Sequence, residues 1–308
     1  MKTAFLFAGQ GTQKVGMARD VYEADPASRD WLDDVLDPQV KKAMFEGPQE
    51  ELDRTEYAQP AIVAHSLALA RRLQEAGIEP DYAAGLSLGE YSALCTSGVF
   101  DPGQCLEIVS YRGQLMQQAL EDTDTGMLAV MGADEYTIQQ LVSELQQEGE
   151  RIEIANYNSP VQIVLSGRRA SLQRARSLLK AEKIRVRPLN VTGAFHSSYL
   201  NNASERLFAY LLEQNVQPAK LPVVFNVTGK TGHEDIRMLL KGQICHSVQF
   251  RQSLEYLAGQ GVERFVEIGP GKTLSRFVRQ TLPEAQVFAV STLEEAEKLW
   301  LNEKSCGI

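Results

Sequence analysis

Histidine and cysteine are both scarce in this chain, four of each among 308 residues. Cys95, Cys105, Cys245 and Cys306 are scattered without metal-ligand spacing, so they read as thiols of a reducing cytosol and not as a disulfide framework. With so few histidines, zinc chemistry is not expected and no metal is assigned. No apolar run reaches the roughly 18 residues that a spanning helix needs, so no membrane partner is expected. The opening stretch Met1–Gly9 is too short for a signal sequence and runs into Gly9-Gln10-Gly11, which reads as a first strand and its turn and supports a cytoplasmic location. Positive charge is also in short supply. The formal charge is −9, which argues against nucleic acid as a partner. Repeats and low-complexity segments are absent. A hydrophobic fraction of 44% with 23% charged residues is ordinary for a globular protein.

One segment breaks the acidic balance. Arg168, Arg169, Arg174, Arg176, Lys180, Lys183, Arg185 and Arg187 face only Glu182 between positions 168 and 187. Such a run is either a solvated helix face or the footprint of an acidic partner, and composition leaves both readings open.

The chain alternates strands and helices. Thr3–Phe7 is a strand, and Pro60–Ala76 has apolar residues at helical spacing before the terminator Gly77. Tyr82–Ala84 leads as a short strand into Gly85-Leu86-Ser87-Leu88-Gly89 and a helix. Asp101-Pro102 is a capping residue followed by a first-turn proline, opening a helix through Arg112 and Met116 to about Leu120. From 125 to 190 the pattern changes to strand Met127–Val130, helix Asp134–Gln147, strands Ile152–Ala155 and Val161–Leu165 across Asn158-Ser159-Pro160, helix Ala170–Ala181 and strand Arg185–Leu189. That βαββαβ order is the ferredoxin-like unit. Strands Val223–Asn226, Arg264–Ile268 and Val287–Val290 then resume the first pattern. The expected fold is α/β: a large hydrolase-like domain with a parallel sheet (1–124 and 191–308), interrupted by a small ferredoxin-like subdomain (125–190).

Gly85-x-Ser87-x-Gly89 between a strand and a helix is the nucleophile-elbow pattern, in which the glycines make room for a sharp turn that exposes the serine hydroxyl. A serine needs a base to act as a nucleophile at neutral pH. His65 reads as packed core, His233 as solvent-facing and His246 as structural. His196 follows the last strand of the inserted unit, at the seam where clefts form, and is the best candidate of the four. Gly269-Pro270-Gly271-Lys272 lacks the length and ending of a phosphate loop and reads as a strand-to-helix turn.

Six segments occur in order: Phe7-Ala8-Gly9-Gln10-Gly11, Gly85-Leu86-Ser87-Leu88-Gly89-Glu90-Tyr91-Ser92-Ala93, Tyr111-Arg112-Gly113-Gln114-Leu115-Met116, Asn156-Tyr157-Asn158-Ser159-Pro160, Gly193-Ala194-Phe195-His196-Ser197 and Glu267-Ile268-Gly269-Pro270-Gly271. Together they resemble the malonyl-CoA:acyl carrier protein transacylases of fatty acid synthesis, over residues 1 to about 295. The resemblance implies Ser87 as nucleophile and His196 as its base, with no acidic third member. It implies the backbone N–H groups of Gln10 and Leu88 as the oxyanion hole, Arg112 as the anchor of the malonyl carboxylate, and the Gln249 carbonyl as the group that orients the histidine. Arginine suits that task because its planar fork matches a carboxylate. Met116, one turn on from Arg112, and Phe195 are assigned to the acyl pocket, and Phe195 matches the malonyl-selective form of its motif. Leu86 departs from the family pattern, which has histidine there, and removes a polar neighbour from the pocket.

The implied activity is transfer of malonyl from malonyl-CoA to the phosphopantetheine thiol of acyl carrier protein, by a ping-pong route through malonyl-serine. Coenzyme A enters as part of the substrate, and no cofactor is called for. The carrier is the acidic partner that would dock on Arg168, Arg169, Arg174, Arg176 and Lys183. Nothing in the sequence demands more than a monomer. A stand-alone acyltransferase loading a polyketide synthase carrier is the near alternative, and a serine thioesterase or esterase the more distant one. The latter is disfavoured because no histidine follows His246 to complete the usual Ser, Asp, His order.

Overall fold

In the computed structural model, which describes residues 1–232 and 234–305, the strands form two sheets. His233 and Cys306 lie outside the described residues. In chain order, β1 (Lys2–Phe7) and β2 (Tyr82–Gly85) begin the large sheet. The next four, β3 (Thr125–Met131), β4 (Ile152–Ser159), β5 (Gln162–Arg168) and β6 (Arg185–Pro188), make the small one. Then β7 (Val223–Val224), β8 (Val262–Ile268) and β9 (Gln286–Val290) return to the large sheet. The large sheet has the order β7-β2-β1-β8-β9 and is parallel throughout; the small one has the order β4-β5-β3-β6 and is antiparallel. This is the expected α/β architecture with its ferredoxin-like unit.

Each large-sheet face is covered, as a parallel sheet requires. Because side chains alternate along a strand, Phe5 and Phe7 of β1 enter one core and Ala4 and Leu6 enter the other. The first core is closed by helices Thr55–Glu75 and Pro102–Leu120, the second by Phe250–Gly259 and Thr273–Thr281. The small sheet divides in the same way. Leu128 and Val130 pack on its own helices, Glu135–Gln147 and Arg169–Ala181, while Met127 and Ala129 join the first large core. Two main-chain bonds fasten its β4 edge to the large unit, Tyr157 N–H to the Val248 carbonyl at 2.9 Å and Val248 N–H to the Ala155 carbonyl at 2.8 Å.

The structure departs from the sequence reading in several places, among them the strand expected at Val223–Asn226, which ends at Val224. The first long helix starts at Thr55, not Pro60, and carries the proline inside it. The hairpin turn is only Pro160-Val161, because register shifts near Asn156 and Tyr157 let β4 run on to Ser159. Helices Pro26–Val35 and Pro38–Glu46 were not foreseen, although Asp25-Pro26 and Asp37-Pro38 carry the same cap-then-proline signal as Asp101-Pro102. In each case the aspartate accepts a first-turn N–H, from Ser28, Gln39 and Gln104 respectively.

The turns after β1, β2 and β8 all leave the carboxyl edge of the large sheet, where ligands bind in open α/β proteins. The elbow is one of them.

Candidate active site

Ser87 follows β2 with its backbone in the left-handed region at φ 52°. The flanking glycines are sterically required. A β-carbon at Gly85 would lie 1.9 Å from the Gly89 carbonyl carbon, and one at Gly89 would lie 2.0 Å from the Phe7 carbonyl oxygen. The Gly9-Gln10 turn also presses on the elbow, since a β-carbon at Gly9 would meet the Leu86 carbonyl oxygen at 2.6 Å.

Asn226, just beyond β7, holds this turn. Its Oδ1 accepts the Ser87 N–H at 2.6 Å and its Nδ2 donates to the Gly85 carbonyl at 2.7 Å. The side chain thereby continues the β2–β7 ladder where the main chain has turned away. Its own N–H donates to Oε2 of Glu90 at 2.6 Å. Glu90 is fully buried, and burial pushes its carboxyl up to about 8.

His196 is brought to the elbow by the segment after β6 and also has a left-handed backbone, φ 55°. Its Nε2 lies 2.7 Å from Ser87 Oγ and its Nδ1 lies 2.8 Å from the Gln243 carbonyl oxygen. A carbonyl can only accept, so Nδ1 carries the proton and Nε2 is free to take the serine hydrogen. Gln249 does not orient the histidine. Its carbonyl accepts from Ser253 N–H and Oγ at 2.9 Å each, as the start of helix Phe250–Gly259. Gln243 lies instead in the last turn of helix Ile236–Cys245, where carbonyls lack intrahelical partners and the helix dipole presents its negative end. That end stands where a triad would place an acid. Burial, and after it the nearby Arg112 charge, lower the His196 pKa to about 4.

Arg112 comes from helix Pro102–Leu120 and is 1% exposed. Its Nη2 donates to Ser87 Oγ at 3.3 Å and to Gln243 Oε1 at 3.0 Å; its Nη1 donates to Gln59 Oε1 at 2.8 Å. The guanidinium also lies over the Tyr91 ring, 5.3 Å from the centroid. Gln243 closes the circuit, since its Nε2 donates to the Ser87 carbonyl at 2.7 Å. Met116 and Phe195 are both buried. The Met116 sulfur takes an N–H of Gln59 at 3.4 Å, and the Phe195 carbonyl accepts the Ser166 hydroxyl at 2.7 Å.

The main-chain N–H groups of Gln10 and Leu88 are not taken up by any turn or capping hydrogen bond among the described residues. The first belongs to the turn pressed on the elbow and the second follows the nucleophile. A cleft of about 380 Å³ opens beside Gln10 between the two units, with Leu86, Gln162, Arg187 and Arg276 also in its wall.

The basic segment lies on helix Arg169–Ala181 and its flanks. Arg168, Arg169, Arg174 and Lys183 are exposed and Arg176 is half-buried. Arg169 pairs with Asp124 at 3.3 Å, and Arg174 with both Glu148 and Glu150, the latter at 3.2 Å. Two of the five basic side chains named as a docking surface are thus already neutralised within the chain.

Gln59, Asn226, Glu90 and Gln243 were not singled out in the sequence. The available signal was slight: Gln59 is a lone amide in an otherwise apolar run, and Gln243 precedes the end of an amphipathic helix.

The acyl transferase domain family model matches residues 4–298. The chain belongs to the acyl transferase family. The Malonyl CoA-acyl carrier protein transacylase of Bacillus subtilis is 38% identical over 302 residues, covering 96% of this chain and 95% of that protein. The crystal structure of the malonyl CoA-acyl carrier protein transacylase of Clostridium perfringens superposes with a TM-score of 0.94 at 33% identity, covering 99% of this chain and 98% of the other. A malonyl-transacylase in complex with a type II PKS acyl-carrier protein gives 0.93 at 33% identity, covering 98% and 100%. As an acyl transferase, the chain is an enzyme of group transfer. Among the described residues, no helix is long and apolar enough to cross a membrane.

Proposed function

We propose that this acyl transferase moves the malonyl group from malonyl-CoA to the phosphopantetheine thiol of an acyl carrier protein, in the cytoplasm, through a malonyl ester of Ser87. The observation that carries the reading is a buried guanidinium, Arg112, 3.3 Å from the nucleophilic oxygen. A cation held there rewards an acyl group whose far end is a carboxylate.

In the first half-reaction Nε2 of His196 takes the Ser87 proton as Oγ attacks the thioester carbon. The oxyanion forms against the Gln10 and Leu88 amides, donors worth on the order of 3 kcal/mol each at this kind of site. Collapse of the tetrahedral intermediate breaks the carbon–sulfur bond, and the His196 proton passes to the departing coenzyme A thiolate. In the second half-reaction His196 takes the proton of the carrier thiol, the thiolate attacks the malonyl ester, and the proton returns to Ser87 Oγ. The imidazolium formed in each half is stabilised by the Gln243 carbonyl and the helix end behind it. The carrier's acidic surface would meet the exposed basic side chains of the small unit, Arg168 and Lys183 above all.

The test is transfer itself. Malonyl-CoA and holo carrier protein mixed with the enzyme should give malonyl-carrier and free coenzyme A in equal amounts. Release of free malonate at a comparable rate, with or without the carrier, would mark a hydrolase instead. The likeness to a transacylase bound to a type II PKS carrier favours a second substrate reading, with the same chemistry and a polyketide carrier; a comparison of the two carriers' kcat/KM values separates them.

A further inference from the structure

Arg112 is a buried cation whose hydrogen-bond partners are all neutral: Gln59, Gln243 and Ser87. Its Nε has no hydrogen-bond partner. A charge taken out of water ordinarily demands a counter-ion, because burial with neutral groups alone is costly. The carboxyl whose charge acts on it is that of Glu90, which burial pushes up to about 8 and so keeps mostly protonated at neutral pH. The positive charge at the elbow is therefore left uncompensated in the free enzyme.

Gln59 is built to keep it so. Gly113, beside Arg112, lets helix Thr55–Glu75 come so close that a β-carbon there would meet the Thr55 carbonyl oxygen at 2.8 Å. That crossing brings fully buried Gln59, one turn further on, onto the guanidinium. The orientation of the Gln59 amide is fixed from its other end. Its Nε2 donates to Gln10 Oε1 at 3.3 Å and to the Met116 sulfur at 3.4 Å, leaving Oε1 to face Arg112 at 2.8 Å. Gln243 is set in the same way from the opposite side, with its Nε2 on the Ser87 carbonyl.

We propose that Gln59 is a selectivity-setting positioning residue: its neutral carbonyl aims the Arg112 fork at the elbow without cancelling its charge, and so favours thioesters that end in a free carboxylate over uncharged acyl thioesters. The inference rests on the malonyl transfer proposed above and names the residue that tunes its preference. A carboxylate in the place of the amide would be held ionised by the guanidinium and would pair with it in a low-dielectric site, where a nearby opposite charge counts most. Arg112 would then have little left for a substrate carboxylate, while neutral acyl groups, which make no use of that charge, would lose only what the missing Gln59 donor to Gln10 contributes.

The experiment measures transfer to holo carrier protein from malonyl-CoA and from acetyl-CoA, in wild type, Gln59→Glu and Gln59→Met. For Gln59→Glu the malonyl-to-acetyl ratio of kcat/KM should fall about tenfold or more, with the acetyl-CoA value within about threefold of wild type. Retained acetyl transfer also reports that the variant is folded. Gln59→Met keeps the volume but offers no carbonyl and no charge. It should raise the malonyl-CoA KM several-fold, leave the acetyl-CoA constants in place, and change the ratio less than Gln59→Glu does. An unaltered ratio in Gln59→Glu, equal losses on both substrates in either variant, or an unaltered malonyl-CoA KM in Gln59→Met would each overturn the proposal. The methionine variant decides the matter alone if the glutamate variant does not fold. A wild-type enzyme that moves no malonyl would instead overturn the activity on which the inference rests.

Discussion

Asn226 and Ser87 are 139 positions apart in the chain, yet the Asn226 amide accepts the Ser87 N–H and donates to the carbonyl two residues before it. The strained elbow is thus held by a side chain from another strand end and not by its own turn alone. Asn226→Ala should leave two buried main-chain groups unpaired, at a cost of about 1–3 kcal/mol for each group lost. Urea midpoints should show that destabilisation, and kcat should fall with little change in the malonyl-CoA KM, since the proposed anchor of the substrate is Arg112. A wild-type kcat would show that the elbow holds its shape unaided.

In the proposed cycle His196 works as a neutral base, and burial together with the Arg112 charge lowers its pKa to about 4. The rate of Ser87 acylation should therefore stay level as pH falls from 7 to about 5 and drop only nearer 4, well below the ordinary imidazole value. Arg112→Met, assayed with acetyl-CoA, removes one cause of the depression and should move that limb toward neutral. Single-turnover rates across pH measure both. A wild-type limb near 6.5 would contradict the account.

Stability should respond to pH through two opposed groups. His65 and His196 are both held near 4 against 6.5. The unfolded chain takes up those protons first, so stability is lost as pH falls from about 6.5 to 4. Glu90 acts the other way. Its folded value of about 8 exceeds the unfolded 4.5, so the unfolded chain sheds the proton first and stability is lost as pH rises between those values. Glu90→Gln mimics the protonated carboxyl and should be free of that loss. Relative to wild type it should gain at least about 1.4 kcal/mol between pH 5 and 8, the worth of one unit of displaced pKa. Chemical denaturation at several pH values measures the difference, and a pH-independent offset would rule out a protonated Glu90.

For carrier docking, the exposed Arg168 and Lys183 are better test positions than Arg174, which is already paired with Glu148 and Glu150. Arg168→Glu with Lys183→Glu should raise the carrier KM several-fold, more at low salt, and leave the malonyl-CoA KM unchanged. Equal effects on the two substrates would remove the small unit from carrier binding.

The sequence was most legible where steric necessity fixes residue type. Gly85 and Gly89 can be nothing else where the strand, the elbow and β1 touch, and Asp101 announces a helix before proline, although the same signal at Asp25 and Asp37 went unread. The two-sheet fold followed from strand order alone. Legibility failed for groups whose contribution is a main-chain atom or a neutral amide. The carbonyl beside His196 carries no side-chain signature, and the resemblance pointed to Gln249, which precedes helix Phe250–Gly259, and not to Gln243 in the last turn of helix Ile236–Cys245. Gln59 was hidden for a related reason: Pro60, taken as a helix start, cut off the turn that places it.

The most direct test of the central claim is the intact mass of the protein after brief mixing with malonyl-CoA, wild type beside Ser87→Ala. The account requires wild type to gain one malonyl group and the alanine variant none, with the gain reversed when holo carrier protein is added. A wild type that stays unmodified under single-turnover conditions, or a Ser87→Ala variant that gains the same mass, would contradict it.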